Sequence, residues 1–302
     1  MSRFPIKEGY QAIDCGNGRK LEAVGPYVLD RPEPLAEHPT ALPVGEWEKL
    51  THARYLEGAK GKAGKWKILR NMARNWETEL RTEHLALKAS CELAGSKHYG
   101  FFPEQAPNWD LLKDRLGRLE EAAPRALLLF AYTGMASLAC RSAGADTFHV
   151  EASKKAITRA RSNMELNGLQ DIRWVLEDVM KFVRREERRG KGYRVIVLDP
   201  PSFGRGPKGE LWKAEDLTLE LLEHCSALLN EDRHLLIANL YAQRSPHRSW
   251  DPSIERIAKE KGSRSTLRDL VIPSKKGRDI PAGQSLYFEK GFDPEKISDP
   301  EP

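Results

Sequence analysis

The feature that most constrains the fold is a regular alternation of apolar and amphipathic runs between about residue 108 and residue 240. Runs such as "RALLLF" (Arg125–Phe130) and "RVIVL" (Arg194–Leu198) are apolar almost throughout, which is typical of strands buried on both faces. Helical patterns that end at Gly144, Gly168 and Gly190 lie between such runs. Strands and helices alternating at this spacing predict βαβ units with right-handed crossovers. The sequence therefore predicts an α/β fold with a doubly wound, mostly parallel sheet.

The first hundred residues lack this alternation. Short strands are predicted between Tyr10 and Leu29, around the turn "GNGR" (Gly16–Arg19). The proline-rich stretch Asp30–Pro43 predicts an extended loop, and Leu80–Leu93 is interpreted as a strand. We therefore expect three parts: a small, mainly β N-terminal region at 1–98, a larger domain at 99–292, and a flexible acidic tail at 293–302.

Composition narrows the class of protein. No apolar run approaches the roughly 18 residues of a membrane span, and "MSRFPIKEGY" lacks the features of a signal peptide. The four cysteines stand at neither zinc-ligand nor redox spacing, which predicts free thiols and no metal site. We therefore expect a cytoplasmic protein that does not contact a membrane.

One segment is strongly basic. Lys60–Trp76 is rich in lysine and arginine, contains no acidic residue and carries two tryptophans. Such a composition suits RNA, because cations bind phosphates and aromatic rings stack on bases. Alternatively, the segment is a basic connector whose tryptophans pack on the core.

In an open parallel sheet, ligands bind at the carboxyl ends of the strands, so chemistry is sought there. The first predicted strand ends in a turn, Phe130–Gly134, with a single glycine and thus little capacity for a pyrophosphate. Glu151 follows the second strand and suits the two hydroxyls of a ribose. Asp178 follows the third strand and suits the amino group of adenine, or the role of a helix cap, or both.

The fourth strand ends in Asp199, followed by Pro200, Pro201, Ser202 and Phe203. Two successive prolines stiffen the backbone and leave carbonyl oxygens that can accept hydrogen bonds from an amine. The ring of Phe203 offers a face on which a base can stack. We expect Asp199, Pro200, Pro201 and Phe203 to form the catalytic rim. A glycine-containing loop, Gly204–Trp212, is interpreted as a mobile lid or a flexible loop.

Together these strand ends describe a site for a nucleoside without phosphate. Three carboxylates also favour a cationic ligand, so S-adenosylmethionine (SAM) is the candidate cofactor.

The motifs resemble those of the class I SAM-dependent methyltransferases, and among them the bacterial ribosomal RNA large-subunit cytosine-5 methyltransferases. The stretches that carry the resemblance lie between Tyr99 and Tyr241: "YGFFPEQAPNW", "LLLFAYTGMASLA", "HVEASKKAITRARSNMELNGL", "EDVMKFV" and "VIVLDPPSFGRG". The resemblance implies a Rossmann-like methyltransferase sheet and an RNA substrate, ribosomal RNA first. The cofactor contacts it implies are Phe102, Gln105, Phe130, Ala131, Tyr132, Thr133, Gly134, Glu151, Ala152, Ser153, Asp178, Val179 and Asp199.

One departure bears on the reaction. The cytosine-5 enzymes carry a cysteine after the fifth strand, whereas "HLLIANLYAQRS" (His234–Ser245) contains none. Attack at carbon 5 of cytosine needs such a nucleophile. Three functions therefore stay open: methylation of an RNA base, methylation of a protein or small molecule, and a cofactor-binding RNA partner without catalysis.

Overall fold

A computed structural model describes residues 4–59, 63–240 and 252–292. The described chain forms two compact units. One consists of 4–110 and 271–282, and the other of 111–270 and 283–292. The sequence predicts a domain boundary between residues 98 and 99. The division into compact units differs, because it assigns Tyr99–Asp110 and Val271–Ala282 to the first unit. The expected tail, 293–302, lies outside the described residues.

The first unit is built mainly from strands. Its elements are β1 (Tyr10–Gly16), β2 (Arg19–Val24), β3 (Tyr27–Pro32), α1 (Val44–Leu50), β4 (Ala53–Leu56), β5 (Lys65–Ile68), β6 (Asn75–Arg81) and β7 (Ala86–Glu92). Strands β1 to β5 form one sheet in chain order, and β6 and β7 form a separate hairpin. The expectation of strands here is confirmed in general, but Leu80–Leu93 is not one strand: it contains the end of β6, a turn and β7. Helix α1, which directly follows the proline-rich stretch, is not predicted by the sequence pattern.

The basic segment has two kinds of residue. Trp66 and Trp76 are buried, and their indole nitrogens donate to the carbonyls of Ser96 and Val24 at 2.9 and 3.0 Å. Both tryptophans are thus packed in the unit and do not offer a free ring. The described cations of the segment include four exposed side chains, Lys65, Lys67, Arg70 and Arg74. Residues 60–62 lie outside the described part, so RNA contact through this segment stays a prediction.

The second unit carries the predicted alternation. Its elements are α2 (Ala106–Gly117), β8 (Arg125–Leu129), α3 (Met135–Ser142), β9 (Asp146–Glu151), α4 (Lys154–Leu166), β10 (Ile172–Leu176), α5 (Val179–Arg188), β11 (Val195–Leu198), β12 (Phe203–Arg205), β13 (Leu211–Lys213), α6 (Ala214–Ala227), β14 (His234–Leu240), α7 (Pro252–Glu260), β15 (Arg264–Ile272) and β16 (Ile280–Lys290). The unit division splits α2, β15 and β16 between the two units.

The large sheet has seven strands in the order β10-β9-β8-β11-β14-β16-β15. The first five pair in parallel, and β16 pairs antiparallel with β14. Strand order reverses between β8 and β11, where open α/β sheets bind their ligands. The predicted doubly wound, mostly parallel sheet is confirmed.

Successive side chains of a strand point to opposite faces of the sheet, so neighbouring residues belong to two different hydrophobic cores. Leu127, Ile196 and Leu236 join one core with residues of α5, α6 and α7. Their chain neighbours, such as Leu128 and Val197, join the other with residues of α2 and α3. Apolar runs without polar alternation are needed because helices cover both faces.

Three further findings concern binding classes. None of the helices within the described ranges is long and apolar enough to cross a membrane. The described residues contain no group of three or more metal-ligating side chains. The four cysteines, Cys15, Cys91, Cys140 and Cys225, are all buried and free.

Candidate active site

Strand pairing brings four of the predicted strand ends to one edge of the sheet. Leu129 pairs with Val150 on one side and with Leu198 on the other, so Phe130, Glu151 and Asp199 lie at adjacent strand ends. Leu176 pairs with Glu151, which places Asp178 two residues beyond the next strand end. The expected side chains therefore follow neighbouring strands on both sides of the point where strand order reverses.

The turn after β8 has an unusual backbone. Phe130, Tyr132 and Gly134 have φ values of 56°, 48° and 90°, all in the left-handed region. Residues with a side chain adopt this region at a cost, and such strain concentrates at functional sites. A Cβ at Gly134 would lie 3.1 Å from the Cβ of Ala160, so this position suits glycine sterically as well as conformationally.

Glu151 fixes this turn. Its Oε2 accepts a hydrogen bond from the Tyr132 amide at 2.9 Å, and its Oε1 accepts one from the Ser153 amide at 2.8 Å. Burial raises the pKa of the Glu151 carboxyl, and the backbone donors oppose that rise. Each carboxylate oxygen accepts more than one hydrogen bond, so these contacts leave capacity for hydroxyl donors. Glu151 thus joins the first and second strand ends.

Two buried side chains behind the turn carry no clear signal in the sequence. Asn163 of α4 donates from Nδ2 to the carbonyl of Thr133 at 3.0 Å. His149 lies 2.9 Å through Nδ1 from the hydroxyl of Ser137 in α3, and burial lowers its pKa to about 3. His149 is therefore neutral at physiological pH. Both side chains support the turn and its helix from behind.

Asp178 caps a helix. Its Oδ1 accepts from the amide of Lys181 at 3.0 Å, at the N-terminus of α5. This is one of the two roles that the sequence leaves open. Recognition of adenine by the same carboxylate stays a prediction.

Asp199 is held by the neighbouring strands. Asn239, at the end of β14, donates from Nδ2 to Asp199 Oδ1 at 3.2 Å. Ser285 of β16 pairs across the sheet with Asn239 and donates from Oγ to Asn239 Oδ1 at 2.7 Å. Asn239 and Ser285 are both buried. The sequence signal for Asn239 is its place at the end of an apolar strand, the same rule that identifies Asp199.

The segment Gly204–Trp212 lies within a short β-hairpin. Strands β12 and β13 pair antiparallel, with Gly204 opposite Trp212. Trp212 is 4% exposed, its Nε1 donates to the carbonyl of Pro201 at 2.7 Å, and its ring centroid lies 4.7 Å from that of Phe130. Trp212 thus connects the turn after β8 to the proline rim, a role that sequence reasoning missed.

Two predicted cofactor contacts lie in the first unit. Phe102 packs its ring 5.0 Å from that of His98, and Gln105 is buried and accepts from Asn108 Nδ2 at 2.7 Å. Their contact with the cofactor stays a prediction. The remaining predicted residues belong to the second unit and lie at or beside its strand ends.

Comparison with known proteins gives two kinds of similarity. No family model matches the chain. Curated proteins called ribosomal RNA large subunit methyltransferase I, from Shewanella amazonensis and Aeromonas salmonicida, are 35% and 32% identical over 124 residues. Each match covers 40% of this chain and only 30% of the relative.

Solved structures match over almost the whole chain. One match is a structure described as a SAM-dependent methyltransferase from Streptococcus mutans, with a TM-score of 0.66 and 17% sequence identity. The match covers 93% of this chain and 75% of that one, and at this identity it establishes only the fold. The SAM-dependent methyltransferase from Agrobacterium tumefaciens is 33% identical, with a TM-score of 0.84, and the match covers 94% of this chain and 91% of that one. On this similarity, the chain belongs to the SAM-dependent methyltransferases.

Proposed function

We propose that this enzyme methylates a base of RNA, with ribosomal RNA as the first substrate to test. The observation that carries the proposal is the local similarity to ribosomal RNA large subunit methyltransferases, 35% identity over 124 residues. An exposed aromatic ring at the rim, Phe203, and exposed cations beside it agree with a nucleic-acid acceptor. We also infer a cytoplasmic location, since all four cysteines are free.

The residues at the strand ends fit SAM better than a cofactor rich in phosphate. The turn Phe130–Gly134 is tightly held and has one glycine, which leaves little room for a pyrophosphate. Glu151, Asp178 and Asp199 supply three carboxylates to the same edge of the sheet, which favours a ligand with positive charge.

In the proposed site, Glu151 accepts hydrogen bonds from the ribose hydroxyls and Asp178 accepts one from the amino group of adenine. The short side chains beside the acids, Ala152, Ser153 and Val179, complete the part of the cofactor pocket that the second unit supplies. When bound, SAM supplies an electrophilic methyl carbon on a positively charged sulfur.

Asp199 and the rigid carbonyls at Pro200 and Pro201 position the acceptor. An amine that donates to these oxygens has its nitrogen held in one orientation, and holding reactants in line accounts for much of the rate in such transfers. Asn239 contributes indirectly, because its hydrogen bond fixes one oxygen of Asp199. Phe203 supplies a face on which a base of the substrate can stack.

We further propose that no cysteine acts as a nucleophile. Cys140 and Cys225 are fully buried, and burial raises the pKa of both thiols. Burial also raises the pKa of Cys15 to about 11, so its thiolate is scarce at neutral pH. This supports an acceptor nitrogen rather than carbon 5 of cytosine. The segment after β14 where the cytosine-5 enzymes carry their cysteine, residues 241–245, lies outside the described residues.

The test is transfer of tritium from methyl-labelled SAM into separated RNA, protein and small-molecule fractions. We expect label in RNA, nuclease-sensitive, and a loss of at least a hundredfold in rate for Asp199→Asn. Asp171→Asn is the matched control, since Asp171 is an exposed carboxylate at a φ of 62° that asparagine tolerates. If the label appears in the protein or small-molecule fraction instead, the substrate is not RNA but a member of that fraction. Tight binding of SAM without label in any fraction would refute catalysis.

A further inference from the structure

The hairpin that follows the proline rim has two unlike faces. In an antiparallel pair, residues directly opposite each other point to the same side. Gly204 pairs with Trp212, and this face is buried through the tryptophan. On the other face Phe203 pairs with Lys213, and Arg205 pairs with Leu211. All four of these side chains are exposed.

The buried face anchors the hairpin on the second unit. The hydrogen bond from Trp212 to the Pro201 carbonyl and the ring contact with Phe130 hold its base. The turn is closed by bonds from the Gly206 amide to the Glu210 carbonyl at 2.8 Å and from the Gly209 amide to the Gly206 carbonyl at 3.0 Å. A hairpin this short is marginal alone, so these contacts give it a fixed position.

The exposed face combines apolar area with positive charge. Phe203 and Leu211 are 58% and 48% exposed, which is high for large apolar side chains. Arg205 has no ion pair within the described ranges, and Lys213 has only an exposed pair with Asp216 at 3.9 Å. Such exposed pairs contribute little, so both cations are available to a partner.

Glu210, the acidic residue within 203–213, is already paired with a cation. Glu210 forms an ion pair with Lys181 of α5, and this bond lowers the pKa of Glu210 to about 2. Glu210 therefore stays ionised across the physiological range, and the positive charge of Lys181 lies beside it. The face that Phe203, Arg205, Leu211 and Lys213 present is thus cationic and apolar.

We propose that this exposed face of the β12–β13 hairpin binds an unpaired stretch of the RNA substrate beside the methylated base. The proposal rests on the proposed function, since it needs an RNA acceptor. Single-stranded RNA fits because its bases stack on aromatic rings while cations contact its phosphates. The position fits as well, because Phe203 lies only four residues after Asp199 in the chain. Enzymes that act on a base commonly contact the flanking nucleotides.

The first experiment measures the binding of a fluorescein-labelled, unstructured 15-nucleotide RNA by fluorescence anisotropy at several salt concentrations. We expect Arg205→Ser/Lys213→Ser to weaken binding about tenfold and to reduce the salt slope by roughly 1 to 2. Phe203→Ala should weaken binding at least fivefold, the low end for a lost stacking contact, with the slope unchanged. The same RNA in a duplex should bind more weakly to the wild type and be less sensitive to Phe203→Ala.

Matched controls remove similar groups elsewhere on the second unit. Arg188→Ser/Lys191→Ser removes two other exposed cations, and Leu219→Ala removes another exposed apolar side chain, in α6 and 37% exposed. Both should bind RNA as the wild type does. All variants should bind S-adenosylhomocysteine with unchanged affinity by calorimetry, which shows that the methyltransferase unit is intact. Equal losses in the control and hairpin variants would overturn the proposal.

Two outcomes separate this proposal from the proposed function. If the wild type labels RNA but the hairpin variants keep its affinity and KM, the hairpin proposal is wrong and the proposed function stands. If the wild type neither labels nor binds RNA, the proposed function itself is wrong. Photo-crosslinking of the wild type with 4-thiouridine RNA needs no variant: we expect crosslinked peptides within 203–213, and crosslinks found only elsewhere would contradict the proposal.

Discussion

At the scale of single residues, the site depends on backbone positions that ordinary side chains tolerate poorly. Gly134 combines a φ of 90° with close contact to Ala160, whereas Gly144 has a φ of 89° and open space within 4 Å of the point where a Cβ would stand. Substituting Gly144 therefore introduces backbone strain alone, whereas substituting Gly134 introduces the same strain together with a steric contact. The two glycines form a natural pair for testing the turn after β8.

We expect Gly144→Ala to cost about 1–2 kcal/mol of unfolding free energy from backbone strain alone, with normal cofactor affinity. Gly134→Ala should cost more, because its Cβ meets Ala160, and should weaken binding of S-adenosylhomocysteine at least tenfold. Urea denaturation and calorimetry measure the two quantities. Equal affinities in the two variants would show that the geometry of the turn does not control the cofactor pocket.

A second prediction concerns the support of Asp199. Asn239→Ala removes the donor to the carboxylate and leaves the Ser285 hydroxyl without this acceptor. We expect a loss of about 1–3 kcal/mol in stability, the usual cost of a broken buried hydrogen bond. The turnover number should fall roughly tenfold while cofactor affinity changes less than twofold. Ser285→Ala, which leaves the Asn239–Asp199 bond in place, should reduce turnover less.

The sequence is sufficient for residues at strand ends but not for their supports. Glu151, Asp178 and Asp199 each end an apolar run, so their position on the sheet follows from strand pattern alone. Asn163 and Trp212 become recognisable only when a helix or hairpin brings them against the turn after β8 or the proline rim. Contacts between residues far apart in the chain leave no periodic signal in the sequence.

At the scale of elements, α3 packs on β9 through a buried polar contact. His149 is fully buried, hydrogen-bonds Ser137 through Nδ1 and lies against Trp174 with ring centroids 4.8 Å apart. Its Nε2 has no hydrogen-bond partner among the described residues. A proton on that nitrogen would therefore bring an uncompensated charge into the interface.

This gives a pH dependence with a definite sign. The pKa of His149 is about 3 in the folded protein and about 6.5 when unfolded, so the unfolded chain binds more protons between these values. Stability is fully present above pH 6.5 and falls by about 1.4 kcal/mol per pH unit below it. His149→Asn should be less stable at pH 7 but should lose less stability between pH 6.5 and 4.5. Urea denaturation at several pH values measures this difference. If the unfolding free energies of the wild type and of His149→Asn fall equally between pH 6.5 and 4.5, His149 is not the group responsible.

Elements differ in how well the sequence predicts them. The long helices α4, α5 and α6 are recognisable from their helical periodicity, and the buried strands of the large sheet are recognisable as continuous apolar runs. Strands β12 and β13 have three residues each, and the glycines in and between them are typical of a loop. Their pairing depends on the anchor that Trp212 makes with Phe130 and Pro201, which is tertiary rather than local.

At the scale of the whole molecule, all the thiols are protected. Cys15, Cys91, Cys140 and Cys225 are at most 2% exposed, and they are the four cysteines of the chain. In the native protein, Ellman's reagent should react with less than one thiol over several minutes, whereas in denaturant it should react with all four. Fast reaction of a native thiol would indicate an accessible, activated cysteine.

Replacing the cysteines then tests the reaction type. The quadruple variant with alanine at Cys91, Cys140 and Cys225 and serine at Cys15 removes every thiol. We expect it to lose stability, since each site is tightly packed, but to retain methyl transfer within about tenfold at a temperature where circular dichroism shows it folded. Complete loss of transfer by a folded variant, recovered on restoring one cysteine, would show covalent catalysis.

The order of strands in the large sheet has a consequence for synthesis. Strand β16 lies between β14 and β15, so one backbone edge of the apolar strand β14 stays without its full pairing until residue 290 has left the ribosome. Translation at about 5–20 residues per second leaves that edge open for seconds after β14 emerges. During this interval the nascent chain exposes an unpaired strand edge, which is a template for pairing with other chains.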